Sequence, residues 1–292
     1  MANAKGMTHE AADQAVPNRD SRSPLEILAR TGFVAKGVVY LIVGVLAAQA
    51  AFSGGGEGQV TGSKGAISSI ADEPFGQIML VLMGIGLVAY VAWRAAQAVL
   101  DPERENNGKS GWVKRAYHGA SAVLYTGLAI QAFALVIGNS SGGGQGGGAK
   151  GWTAKLMSQP FGQWLVGIFG AIIVIVGLIH FYKNVVKAEF WKKLKRHEMT
   201  NKVAKAVKVF GRAGYASRAV IFGIIGGFFI VAAIQQDPNE ARGLGGALNT
   251  LATTSYGPWL LGVVAIGVAA YGAYQFVKAR FRDLSGAGFR KA

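Results

Sequence analysis

The chain has 292 residues, of which 51% are hydrophobic and only 15% charged, and its formal net charge is +15. Such a composition excludes an ordinary soluble domain, and basic residues strung between apolar runs exclude the nucleic-acid surface that the charge alone would suggest. Cysteine is absent, so disulfides, thiolate metal sites and thiol nucleophiles are excluded too.

Residues 1–27 are polar and read as a disordered cytoplasmic tail. Crossing about 30 Å of hydrocarbon takes roughly 20 apolar residues at the helical rise. Six runs meet that length, at 33–52, 75–93, 119–138, 161–182, 213–234 and 256–277, and none contains Asp or Glu. Ala48-Gln49-Ala50 in the first run imitates a signal cleavage site, but the polar tail is longer than a usual n-region and the run has counterparts later in the chain. We therefore read it as a span.

The connections alternate in character. Those at 53–74, 139–160 and 235–255 are rich in Gly and polar residues, then pass into a short amphipathic piece ending at Pro74, Pro160 or the turn at 255–258. Each piece is predicted to be a helix lying at the outer interface. The Gly-rich stretch 142–148 lacks the Lys-Ser/Thr ending of a phosphate loop and reads as a flexible linker. The other connections are basic. Twenty-four Lys and Arg fall in these segments and the two tails against four in the outer connections, which predicts both termini in the cytoplasm. Residues 183–212 carry ten of them. Lys192, Lys193, Lys195 and Arg196 form its core, a cluster expected to face anionic lipid headgroups at about 1 kcal/mol per basic residue near the surface.

Self-similarity organises the rest. Residues 30–40, 115–125 and 212–222 align without gaps, making Arg30, Arg115 and Arg212 equivalent, likewise Gly37, Ala122 and Ala219, and likewise Tyr40, Tyr125 and Phe222. The even spans open on Phe75-Gly76, Phe161-Gly162 and Tyr256-Gly257, each with a glycine ten residues before the aromatic and an aliphatic five before it. The organisation is repeat 1 at 28–101, a linker at 102–112, repeat 2 at 113–188, a basic linker at 189–209, repeat 3 at 210–282 and a tail at 283–292. A two-helix unit returns the chain to its starting side. The predicted fold is therefore all-α, a six-transmembrane-helix bundle of three parallel two-helix repeats with pseudo-threefold symmetry about the membrane normal.

The pattern Gly-[Phe/Tyr]-x-[Ala/Ser]-[Lys/Arg]-[Gly/Ala]-Val-[Val/Ile]-[Tyr/Phe], present at 32–40 and 214–222, resembles that of a bacterial family of uncharacterised membrane proteins, domain-of-unknown-function family 1206. The middle copy departs from it, with Tyr117-His118 at its start and Ser121 where the others carry Lys36 and Arg218. The resemblance implies a bacterial cytoplasmic-membrane location and three two-helix units; it implies no chemistry.

Lys36 and Arg218 lie about one turn inside their spans, where an ionisable group is a functional candidate. At that depth we expect both to snorkel to the headgroups, and a pathway role would require a partner from another helix. His118 and His180 fall at neighbouring span ends and are expected to anchor at the interface; two imidazoles without carboxylate or thiolate make a poor metal site, so neither metal nor cofactor is expected. Tyr40, Tyr90, Tyr125, Tyr271 and Tyr274 need hydroxyl partners, met by helix packing or by a polar lining around the axis. Gly223 and Gly227, and Gly167 with Ala171, are spaced for close helix approach.

These features predict a non-enzymatic binding, scaffold or membrane-protective protein whose partner is the lipid bilayer; no nucleic acid is expected, and no protein partner is indicated. The alternative is a small transporter or channel along the pseudo-threefold axis, ringed by Tyr40, Tyr125 and Phe222. Mitochondrial carriers transport with three two-helix repeats, but their Pro-x-[Asp/Glu]-x-x-[Lys/Arg] signature is absent from the odd spans.

Overall fold

The computed structural model describes residues 24–52, 62–71, 73–100, 111–138 and 149–284. Residues 1–23 of the tail expected at 1–27, most of the linker 102–112, the Gly-rich stretch 142–148 and residues 285–292 of the tail expected at 283–292 lie outside the described residues.

Six long apolar helices cross the bundle: α1 (Pro24–Phe52), α3 (Gly76–Val99), α4 (Gly111–Val136), α6 (Gly162–His180, continued by a π-helical turn over Phe181–Val186), α7 (Asn201–Gln235) and α9 (Gly257–Phe281). Helices suit these runs because in hydrocarbon every backbone amide must be satisfied within the segment. The first helix begins at Pro24, inside the stretch expected to be tail, and α7 begins at Asn201, inside the stretch expected to be linker. Thr200 caps α7, its hydroxyl accepting from the amide of Val203 at 3.5 Å.

The three amphipathic pieces are helical: α2 (Ser63–Ala71), α5 (Ala149–Met157) and α8 (Leu244–Thr253). Each turns sharply into the following span. Phe75 and Phe161 adopt left-handed backbone, with φ of 64° and 61°. A Cβ added at the next glycine would stand 2.1 Å from the carbonyl oxygen of Ile70 (Gly76), 1.9 Å from that of Leu156 (Gly162) or 2.2 Å from that of Ala252 (Gly257). Only glycine fits the turn, which explains the glycine of each aromatic-glycine pair. Phe75, Phe161 and Tyr256 stay exposed and form an aromatic belt at that end of the bundle.

The main packing joins neighbouring copies. Helix α3 packs on α4, α6 on α7, and α9 on α1, so each even span pairs with the next odd span around the pseudo-threefold axis. Two of these interfaces use the same register positions. A Cβ at Gly272 would lie 2.9 Å from the carbonyl oxygen of Gly37, and one at the equivalent Gly177 would lie 3.2 Å from that of Ala219. In α6 and α7 the closest approach is made by Gly170 and Gly226, each 2.7 Å from the other's carbonyl oxygen by the same construction. The expected pair Gly223 and Gly227 does not serve this purpose, since no atom lies within 4 Å of a Cβ built at either. Gly167 makes only an ordinary contact with Ala233, at 3.4 Å. The choice among small residues one turn apart depends on helix rotation, which spacing alone leaves open.

Within a copy the three repeats differ. Helices α1 and α3 pack together, as do α7 and α9, but α4 and α6 form no packed pair. The register supplies the reason. A Cβ at Gly32 would stand 2.5 Å from the Cα of Tyr90, and one at the equivalent Gly214 would stand 2.6 Å from the Cα of Tyr271. The middle copy has Tyr117 in place of that glycine, and so bulky a side chain holds α4 and α6 apart. The bundle is thus a ring in the order α4, α3, α1, α9, α7, α6, with its open seam in the middle repeat.

Candidate functional site

At the end of the bundle that bears the basic connections, all six spans direct polar or aromatic side chains inward. Lys36, on α1, is 3% exposed, and its Nζ donates to the Tyr90 hydroxyl at 2.9 Å. The ammonium lies 4.8 Å from the ring centres of Tyr90 and Tyr125 and 5.8 Å from those of Tyr40 and Tyr271. Arg218, on α7, is 8% exposed and donates from Nη1 to the Tyr271 hydroxyl. Its guanidinium lies 4.5 Å from the Tyr271 ring, 5.0 Å from Phe222 and 5.7 Å from Tyr40. Each such contact contributes about 0.5–1 kcal/mol at an exposed site and about 2 kcal/mol or more when desolvated. Both cations point into the bundle between helices instead of snorkelling, because aromatic faces and a hydroxyl replace the hydration that headgroups would have supplied.

A third cation completes the centre. Arg94, near the end of α3, donates from Nε to the Tyr90 hydroxyl at 2.8 Å and from Nη1 to Gln97 at 2.9 Å, and lies 2.7 Å from Nδ1 of His118. The Tyr90 oxygen therefore accepts from Lys36 and Arg94 together, using both lone pairs. Among the described residues no carboxylate pairs with Lys36, Arg94 or Arg218; the ion pairs there, such as Arg30 with Glu26 at 2.6 Å and Lys195 with Glu198 at 3.5 Å, lie elsewhere. Lys36 is repelled by both Arg218 and Arg94.

The two histidines do not meet directly. The Tyr117 ring sits 5.7 Å from each, and its hydroxyl lies 3.4 Å from Nε2 of His180. His180 Nδ1 lies 3.2 Å from the Val176 carbonyl, which can only accept, so Nδ1 carries the proton and Nε2 is free to accept from Tyr117. The ring stacks on Tyr215 at 6.1 Å and meets Phe222 edge-on at 5.9 Å. Among the described residues no three His, Asp or Glu converge as a metal site would need. The Tyr125 hydroxyl donates to that of Tyr40 at 3.5 Å, and the Phe222 ring packs against the Arg218 guanidinium.

Lys278 and Arg282 hold their cationic heads 4.2 Å and 5.6 Å from the Phe33 ring, and Phe190, Tyr215, Tyr271 and Tyr274 form a second aromatic group beside the centre. The basic connection is folded onto it. Phe190 is buried against Gly211, the Lys195 amide donates to the Phe281 carbonyl at 2.8 Å and the Asp283 amide to that of Lys193 at 3.0 Å. Lys192, Lys193 and Arg196 remain exposed, away from the centre.

Sequence reasoning brought Lys36, Arg218, Tyr40 and Tyr125 forward but missed Arg94, Tyr117 and Tyr215. The missed signal lies in the even-span register, where Tyr90, Val176 and Tyr271 are equivalent, as are Arg94, His180 and Gln275. The cation and its tyrosine are retained together in copies one and three and lost together in the middle copy, as Ser121 and Val176.

The triplicated helices and their shared interior define a multi-pass α-helical membrane protein. The chain belongs to the family described as Domain of Unknown Function (DUF1206), which matches it three times, at residues 31–101, 116–187 and 213–282, once per repeat. It is similar to an uncharacterized protein, YxxB, of Bacillus subtilis (strain 168), with 34% identity over 267 residues, covering 91% of this chain and 94% of the relative. No solved structure matches the chain.

Proposed function

We propose that this bacterial membrane protein is a non-enzymatic binding protein whose ligand is an anion held at the centre between Lys36 and Arg218. One observation carries the reading: cations from three spans are gathered in the interior with no carboxylate paired to them among the described residues. Burying such charge unpaired costs several kcal/mol, a cost an anionic ligand would offset. The rings and hydroxyls there hold the cations in place, an arrangement suited to binding charge. The basic end faces the cytoplasm in this reading, and Lys192, Lys193, Lys195 and Arg196 lie against anionic headgroups. The test is thermal unfolding of the detergent-solubilised chain with chloride, phosphate, acetate and a matched panel of cations. Stabilisation by anions that is lost in Lys36→Gln and Arg218→Gln supports the proposal; equal responses to both panels sink it.

Transport is the second reading, favoured by all six spans contributing side chains to one interior centre. Proteoliposomes that release an entrapped anion faster than protein-free vesicles would establish it.

A further inference from the structure

The open seam between α4 and α6 leads to this centre from the side. Its cause is local to the middle repeat: Tyr117 occupies the place of Gly32 and Gly214, and Ser121 with Val176 replaces the cation-tyrosine bond that joins the helices of the other copies. Where α4 and α6 do approach, at the basic end, the contact is Tyr117 with His180. Along the seam, Ser121 on α4 and Val176 on α6 fall on stripes continuing from Tyr117 and His180, and neither is fully buried, whereas Phe169 and Ile173 further along α6 pack toward Phe229 of α7. In a bilayer such a gap fills with acyl chain. Its walls are apolar above the Ser121 level, and His180, stacked with Tyr215 and touching the Arg218-bound Phe222, links it to the cations.

We propose, on the basis of the anion-binding reading, that the ligand is the phosphate or carboxylate head of a membrane amphiphile, which enters sideways between α4 and α6 with its acyl chain lying in the seam. An apolar slot ending in cations complements an amphiphilic anion, whereas a free anion would use only the floor. The like-charged residues there should also select against a zwitterionic head, which would bring its own cation among Lys36, Arg94 and Arg218.

Three probes separate the sources in the purified full-length chain: phosphatidic acid, phosphatidylcholine with the same chains, and inorganic phosphate. Phosphatidic acid is expected to bind saturably and about tenfold or more tightly than either of the others, with about a tenfold loss in Arg218→Gln, as for removal of a charge-assisted bond. Equal affinity for inorganic phosphate would overturn the amphiphile while leaving the anion site standing. Binding of none of the three would overturn both readings, and equal affinity for phosphatidylcholine would reduce the seam to an ordinary lipid contact. Access is tested separately. The chain has no cysteine, so Ser121→Cys carries a single spin label. Bilayer-dissolved oxygen should relax that label and phosphatidic acid should suppress the relaxation; a label that oxygen does not reach, or that phosphatidic acid leaves unchanged, overturns the lateral route.

Discussion

Lys36 donates to the hydroxyl of Tyr90 at 2.9 Å across the interior of the bundle, and Arg218 makes the same bond to Tyr271 from the same two positions of the repeat. The bond is thus a property of the repeat unit, kept in two copies and absent from the third. It ties an odd span to the even span of its own copy, where the extensive packing otherwise runs between copies.

Removing one hydroxyl should be costlier at Tyr90 than at Tyr271. Tyr90→Phe leaves both Lys36 and Arg94 without their shared acceptor, and a hydrogen bond to a charged group contributes about 1.5–3 kcal/mol. We expect Tyr90→Phe to lower the thermal unfolding midpoint in detergent more than Tyr271→Phe does. In the double variant Lys36→Met with Tyr90→Phe the losses should fall short of additive, because the two residues share one interaction.

Glycines of the same spans should divide sharply on substitution by alanine. Gly32→Ala and Gly76→Ala would place a Cβ 2.5 Å from the Cα of Tyr90 and 2.1 Å from the carbonyl oxygen of Ile70, so both should destabilise, by about 1–3 kcal/mol as overpacked sites do. Gly223→Ala and Gly227→Ala meet open space and should be neutral or stabilising by up to about 1 kcal/mol through helix propensity. Unfolding of the four variants side by side checks the division.

Phe190 anchors the basic connection, with Gly211 beneath its ring and Tyr274 edge-on at 5.2 Å. Phe190→Ala should therefore release the segment around Lys192 to trypsin well before the spans unfold. The rate of cleavage there, read by mass spectrometry, should rise several-fold, in line with local opening of a weakly held element.

The orientation can be read with single cysteines, since the native chain contributes none. In intact cells Lys64→Cys should react with a membrane-impermeant maleimide, and Lys192→Cys should react only after permeabilisation. The reverse pattern would place the basic end outside and contradict the positive-inside reading.

Much of this protein is legible in one dimension. Hydrocarbon demands long uncharged helices, so six spans can be read from residue type alone. The aromatic-glycine pairs at 75–76, 161–162 and 256–257 marked where the even spans open, and the gapless alignment at 30–40, 115–125 and 212–222 announced the repeat. Arg94 was hidden because, counted with the basic connection, it looks like one more orientation signal; its side chain turns inward to Tyr90 and His118. Gly223 and Gly227 misled for a related reason, since one-turn spacing marks a face of a helix without saying what that face meets.

Sequence by itself therefore determined the spans, their triplication and the exceptional middle copy, because each rests on residue type and spacing along a single helix. Tertiary structure alone decided that Lys36 and Arg218 turn inward, that even spans pair with the next copy's odd spans, and that the ring stays open at α4 and α6. Those outcomes depend on helix rotation and on how closely two backbones can approach, and a tyrosine in place of one glycine, at Tyr117, is enough to change the second.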